Sequence, residues 1–347
     1  GEFFTVPSGD SMSKRELKAL AICNVLKDLI IQVSDQDLKD LGLTKGMMHL
    51  VSEAEQQKML DYFASREKTI EMGGSGANMI RTLATLGENV SQAGMVGQDE
   101  YGELCMERVK ELGIKNNIQQ HAEGSTGTSI ILVSPDGERT MHTCLGSSRA
   151  YTTHDIPETD IARSEYLIVT GYQWDTENQI KAIRHAVEVA KANQTKIVFD
   201  LSDPFCVDRH RETFLSLLEH SIDVVFANKK EAEMLTGKGP EESLAELAKL
   251  SDVVVVKCGS KGSWIQSGTE KVFVPCNEVT VVDTTAAGDM YAGGFLFGLL
   301  NQKSLEDCGK IANFCAETVI QNIGARIPED LHARVDAYLQ REAALAV

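Results

Sequence analysis

Long apolar runs are missing from this chain: no stretch reaches the roughly 18 residues that read as a membrane-spanning helix. No basic segment followed by an apolar one opens it, so no secretory signal is expected and the expected location is the cytoplasm. Positive charge is scarce, with 34 Lys and Arg against 51 Asp and Glu and a formal charge of −17. That balance argues against nucleic acid or an anionic membrane as partner and leaves a small molecule. The eight cysteines include no Cys-x-x-Cys pair, so they are expected to be reduced, structural thiols rather than zinc ligands or a redox couple. Repeats, low-complexity tracts and Pro/Ser linkers are absent too, which favours one large domain over two. No Walker-A pattern and no protein-kinase catalytic loop occurs, which removes two common architectures for phosphoryl transfer.

What is present is average for a globular chain, 42% hydrophobic and 24% charged, enough to bury a substantial core. Residues 1–11 (GEFFTVPSGDS) read as a cloning leader ahead of a start at Met12, with one domain over 12–347. Residues 19–34 form a β-rich apolar run interrupted by Asn24, Lys27 and Asp28, and polar groups interrupt a buried strand only with a partner. Helical spacing marks 53–65, 75–87 and 101–113, with a strand at 89–97. Alternating segments at 117–122, 127–134 and 138–144 predict an antiparallel excursion. From 165 onward strands and helices alternate, which predicts a mostly parallel sheet covered by helices on both faces, with ligands at the carboxyl ends of its strands.

The segment Asp283-Thr284-Thr285-Ala286-Ala287-Gly288-Asp289 follows the β-branched run VTVV and opens a small-residue helix. Free N–H groups of a first helical turn, at the positive end of the dipole, suit an anion, and small side chains admit a phosphate. A carboxylate beside that turn would repel the anion unless it accepts a proton from an attacking hydroxyl. The same residues would also suit a plain capping turn.

The heptad DTTAAGD resembles the D-T-x-[GA]-A-G-D signature of the ribokinase/PfkB carbohydrate and nucleoside kinases. The resemblance implies an α/β ribokinase-like fold, with a small β-sheet lid here placed at about 20–33, 46–50 and 117–144. It implies Asp289 as general base, the amides of Ala286, Ala287 and Gly288 as an anion hole, ATP and Mg²⁺ as cofactors, and in some members K⁺. Gly73-Gly74-Ser75-Gly76-Ala77-Asn78, followed by Gly87 and Gly97, resembles the family's acceptor-binding glycine motif, in which Asn78 would bond a hydroxyl. Ile80 departs from the small residue usual there. Asn24 and Asp28 resemble the strand whose carboxylate accepts vicinal hydroxyls, with Cys23 in place of a glycine.

Asn228 and Glu231 match an element that orders Mg²⁺ through water, although Asn followed three residues later by Glu is also an ordinary capping box. Lys257, Gly259 and Gly262 resemble the nucleotide loop, Asn313 a position near the ATP base, and Asp283 and Thr285 the main-chain surroundings of a monovalent cation. Stretches such as GYQWD (171–175) and DLSDPFCVDRHRETF (200–214) are similar to adenosine-kinase-like members, which implies Arg139 as a lid residue facing the phosphate and Tyr172 or Trp174 as a platform for a purine. Transfer to the 5′ hydroxyl of a ribonucleoside, adenosine above all, is the expected reaction. A ribokinase- or fructokinase-like sugar kinase is the alternative, and a non-catalytic binding homologue a second. The protein would act as a monomer or homodimer.

Overall fold

A computed structural model describes residues 15–324 and 326–346. The leader assigned to residues 1–11 and the start at Met12 lie outside the described residues. The strands are β1 (Leu17–Ile22), β2 (Leu26–Gln32), β3 (Met48–Leu50), β4 (Thr69–Gly73), β5 (Val90–Gly97), β6 (Lys115–His121), β7 (Thr126–Val133), β8 (Arg139–Gly146), β9 (Ser164–Thr170), β10 (Lys196–Asp200), β11 (Val224–Asn228), β12 (Val253–Lys257), β13 (Gly262–Ser267) and β14 (Glu270–Pro275). The helices are α1 (Asp35–Asp40), α2 (Glu53–Tyr62), α3 (Ser75–Thr85), α4 (Glu100–Glu111), α5 (Glu158–Ala162), α6 (Glu177–Ala192), α7 (Pro204–His220), α8 (Lys229–Thr236), α9 (Pro240–Leu247), α10 (Ala287–Leu300), α11 (Leu305–Ile320) and α12 (Leu331–Leu345).

A large sheet runs β14-β13-β12-β11-β10-β9-β1-β5-β6, parallel from β12 to β6 and antiparallel at the β12–β13–β14 end. Its central strands are apolar on both faces and divide their side chains by parity, as a sheet buried on both sides requires. Ala19, Ile168, Val198, Phe226 and Val255 join one core with α3, α4, α10, α11 and α12. Their neighbours Leu20, Leu167, Phe199, Val225 and Val254 join the other core with α5 to α9.

A small sheet, ordered β3-β8-β7-β2-β4, carries α1 and α2 on its far side, where Ile31, Leu38, Met59, Phe63 and Ile130 pack together. The membership of this sheet corrects the ranges expected for the lid. Residues 17–22 and 115–121 belong to the large sheet, and β4 belongs to the small one. The apolar run at 19–34 is therefore two strands, and the three residues Cys23, Asn24 and Val25 carry the chain from one sheet into the other. The β-branched run at 279–282 is irregular: Val282 and Asp283 donate their N–H groups to the Ile320 carbonyl at 2.8 and 3.1 Å instead of entering a sheet.

Candidate active site

The carboxyl ends of β1, β9, β10, β11 and β12 open onto a cavity of about 620 Å³, roofed by the small sheet and floored by the start of α10. Asn24, Tyr172, Asp200, Asn228 and Lys257 line it from the strand ends, where ligands of open α/β sheets bind. Arg139, Gly74, Ser75, Asn78, Gly259, Gly262, Asn313 and the Thr285–Asp289 turn also border it. The side chains of the small sheet that face it follow the register. One row is Asp28, Ser129 and Thr143; the next is Ile131, Met141 and Met48.

Asp289 stands in the first turn of α10. Ser75 Oγ donates to its Oδ1 at 2.6 Å and Asn78 Nδ2 to its Oδ2 at 2.8 Å. The Asn78 Oδ1 accepts from Arg81, so both ends of an amide assigned by resemblance to a substrate hydroxyl are engaged by protein. Ala286 adopts a left-handed backbone at φ 63°, and the Ala287 N–H donates to the Thr284 carbonyl at 3.1 Å. That bond takes Ala287 out of the expected anion hole. Among the described residues, the N–H groups of Ala286 and Gly288 have no such acceptor, and a Cβ on Gly288 would lie 2.9 Å from Lys257 Nζ, which places an ammonium beside the turn. The Asp283 carboxylate, fully buried, accepts from Thr285 N–H and Oγ1 and from Gly324 N–H at 2.6 to 2.8 Å, which fixes the turn to the loop after α11.

The Gly73-Gly74 pair is a requirement of close approach. A Cβ on Gly73 would lie 2.0 Å from Asp28 Oδ1, and one on Gly74, at φ 96°, would lie 2.1 Å from the Asn24 carbonyl oxygen. Asp28 is buried, and among the described residues no hydrogen bond engages its carboxylate. Burial pushes its carboxyl up to about 8, against the lowering fields of Arg81 and Arg139 and with further repulsion from Asp289. Arg139 is subject to the opposite balance: burial disfavours its charge, but Tyr172, Asp289 and Asp203 outweigh that and raise it. Asn24 bridges Gln179 Nε2, from which it accepts at 2.6 Å, and the Tyr172 carbonyl, to which it donates at 3.3 Å. Trp174 is not a platform: it is buried in the second core, edge-on to Phe199 and Phe214.

On the strand side, Asn228 caps α8 and Glu231 Oε1 accepts from the Asn228 N–H at 2.9 Å, so the capping box exists and still leaves Glu231 on the cavity wall. Burial and the neighbouring Asp200 push Glu231 up to about 8, and Lys257 counters this only in part. Asp200, which sequence reasoning missed, is raised by burial and lies 3.9 Å from Lys257 Nζ. Two buried carboxylates without enough counter-charge suit a hydrated hard cation, which takes one or two protein carboxylates and completes its shell with water and phosphate. Among the described residues no group of three or more His, Cys, Asp or Glu forms an all-protein cage. Asn313 Nδ2 donates to the Val274 and Pro275 carbonyls at 3.3 and 3.1 Å, so it ties α11 to the end of β14 at the cavity rim.

Residues 47–331 match the pfkB family carbohydrate kinase. The chain belongs to that family. It is 29% identical to an uncharacterised sugar kinase of Archaeoglobus fulgidus, over 73% of this chain and 99% of that one, and 26% identical to a ribokinase of Haemophilus influenzae, over 80% and 90%. Adenosine kinase from Sinorhizobium meliloti superposes with a TM-score of 0.89 at 33% identity, covering 93% of this chain and 99% of that one. A probable sugar kinase from Rhizobium etli gives the same score at 31% identity and the same coverage. This kinase is thus a ribokinase-like phosphotransferase with an alcohol group as acceptor, a sugar or nucleoside kinase of adenosine-kinase-like build. Membership implies ATP as the donor and a divalent metal at its phosphates. Among the described residues no helix is long and apolar enough to cross a membrane.

Proposed function

We propose that this kinase transfers the γ-phosphoryl group of ATP to the 5′ hydroxyl of a ribonucleoside, adenosine above all. The observation that carries the reading is the face of the small sheet turned to the cavity: a buried carboxylate that accepts no hydrogen bond among the described residues, in a row with two hydroxyl side chains and flanked by apolar rows, Leu26 and Leu145 on one side and Ile131, Met141 and Met48 on the other. A carboxylate accepts two hydroxyl donors, which suits a ribose diol. An apolar row suits a base and offers nothing to the further hydroxyls of a free sugar. Tyr172 borders the same cavity, and its ring would cover the purine.

In this reading Asp289, oriented by Ser75 and Asn78, takes the proton of the attacking hydroxyl. The Ala286 and Gly288 amides, Lys257 and Arg139 would meet the charge of the transferring phosphoryl group. Mg²⁺ would be held through water by Glu231 with Asp200 near it, and it supplies charge neutralisation at the phosphates. Asn228, Gly259, Gly262 and Asn313 would border the nucleotide. A monovalent cation such as K⁺ would take main-chain oxygens at Asp283 and Thr285, because the Asp283 carboxylate already accepts three hydrogen bonds from its own chain.

The sugar-kinase reading is favoured by the names of the sequence relatives. Steady-state kcat/KM for adenosine, 2′-deoxyadenosine, ribose and fructose separates the two. Adenosine should exceed both sugars, and loss of the 2′ hydroxyl should cost as much as about 10⁴ because it strands a buried polar group. A higher value for either free sugar would reject the nucleoside reading.

A further inference from the structure

Arg81 lies inside α3 with 6% of its surface exposed, in a position where a charged side chain persists only with partners. Its Nη2 donates to two acceptors on different parts of the molecule. One is the Met72 carbonyl of β4, at 2.9 Å, in the small sheet; the other is Asn78 Oδ1, one turn back in α3. Asn78 then donates to Asp289 Oδ2 on α10 at 2.8 Å. A continuous line of hydrogen bonds therefore runs from the edge strand of the roof to the carboxylate on the floor. Met72 immediately precedes Gly73, whose backbone abuts the Asp28 carboxylate, so the roof end of this line sits where an acceptor would bind.

We propose that Arg81 is a positioning residue that ties the orientation of the Asp289 carboxylate to the seating of the small sheet. Asn78 can hold Asp289 through Nδ2 only if its amide is turned the right way, and the Arg81 donor on Oδ1 fixes that turn. The Met72 carbonyl in turn fixes the guanidinium. With β2 and β4 seated as they are, paired Asp28 to Glu71 and Leu26 to Gly73, the line is complete and the base is already aimed before an acceptor binds. When β4 is displaced, Arg81 loses one acceptor and the amide its constraint. The inference rests on Asp289 being the general base.

The test compares kcat and both KM values for wild type, Arg81→Lys, Arg81→Met, Asn78→Ala and the pairs of each Arg81 change with Asn78→Ala. Arg81→Met should lower kcat by about thirtyfold and Arg81→Lys, which keeps the charge without the planar fork, by about fivefold, with the KM for ATP within about twofold of wild type. Because Arg81 acts through Asn78, each double variant should match Asn78→Ala within about twofold. Losses that multiply, or wild-type kcat in both Arg81 variants, would overturn the proposal. If Arg81→Met fails to fold, Arg81→Lys and its pair with Asn78→Ala make the same comparison. An Asp289→Asn enzyme with undiminished kcat would remove the base assignment instead; an inactive Asp289→Asn beside fully active Arg81 variants would remove the role of Arg81 alone.

Discussion

Asp289 has its two carboxylate oxygens held by two donors, so its lone pairs are aimed before any substrate arrives. An asparagine at 289 would keep most of the shape but could not take the proton. Asp289→Asn should therefore retain ATP binding and fold while losing at least about a hundredfold in kcat; turnover near wild type in an ADP-release assay would exclude the role. Asp289 and Glu231 could be read from the sequence as candidates because each lies in a short motif that opens a helix, and Asp28 because it interrupts an apolar run. Arg81 could not, since an arginine in a helical pattern reads as solvent-facing, and only the packing of α3 under the roof shows that it is enclosed. Asp200 escaped because a carboxylate closing a strand looks like the start of a turn. Ala287 and Trp174 were misassigned for the same reason: which amide or ring faces the ligand depends on one backbone dihedral or one side-chain direction.

The two sheets meet at short connections, and the largest gap between expectation and structure is there. Strands alternate or run apolar in the same way whichever sheet they join, so β1 and β2 read as one run until their partners are seen. The five residues of β4 are too few and too exposed to register as a strand, yet they carry the Met72 carbonyl and adjoin Asp28. The run at 279–282 has the composition of a strand, but Val282 bonds to the Ile320 carbonyl at the end of α11 and, among the described residues, the run joins no sheet. By contrast the alternation from β9 to β12 was legible, because each strand there is a continuous apolar run and β9, β10 and β11 are each followed by a helix. A roof made of β2, β3, β4, β7 and β8 over the transfer site should exclude water when acceptor is bound. ATP hydrolysis measured without acceptor should accordingly run at a small fraction of the transfer rate, and equal rates would show that the small sheet does not control access.

At the scale of the whole molecule, the buried carboxyls of Asp28 and Glu231, each pushed up to about 8 chiefly by burial, set a pH dependence of stability. Their folded values exceed their unfolded ones, so the native state binds the extra protons. The contribution is complete below about pH 4 and is lost as pH rises through about 8. The unliganded kinase should melt at progressively lower temperature from pH 5.5 to pH 8.5, and Asp28→Asn should flatten that slope. Parallel slopes for the two proteins would show that Asp28 does not carry the effect.

The order of strands in the large sheet also bears on how the chain reaches this structure. From Ser164 to Lys257 each strand lies next to the one that follows it in sequence, whereas β1 is wedged between β5 and β9, with Leu17 opposite Ser164. Closing a long loop costs more entropy than closing a short one, and local pairings form sooner. The C-terminal half is therefore expected to condense first, as a template, and the N-terminal strand to be inserted into it afterwards. Pulse-labelled hydrogen exchange during refolding would show protection at β9 to β12 preceding that at β1. During synthesis the order of emergence is the reverse, so the first 146 residues, which include Asp28, the glycine pair and the whole roof, leave the ribosome before the strand that anchors them exists. The roof that is made first is completed last.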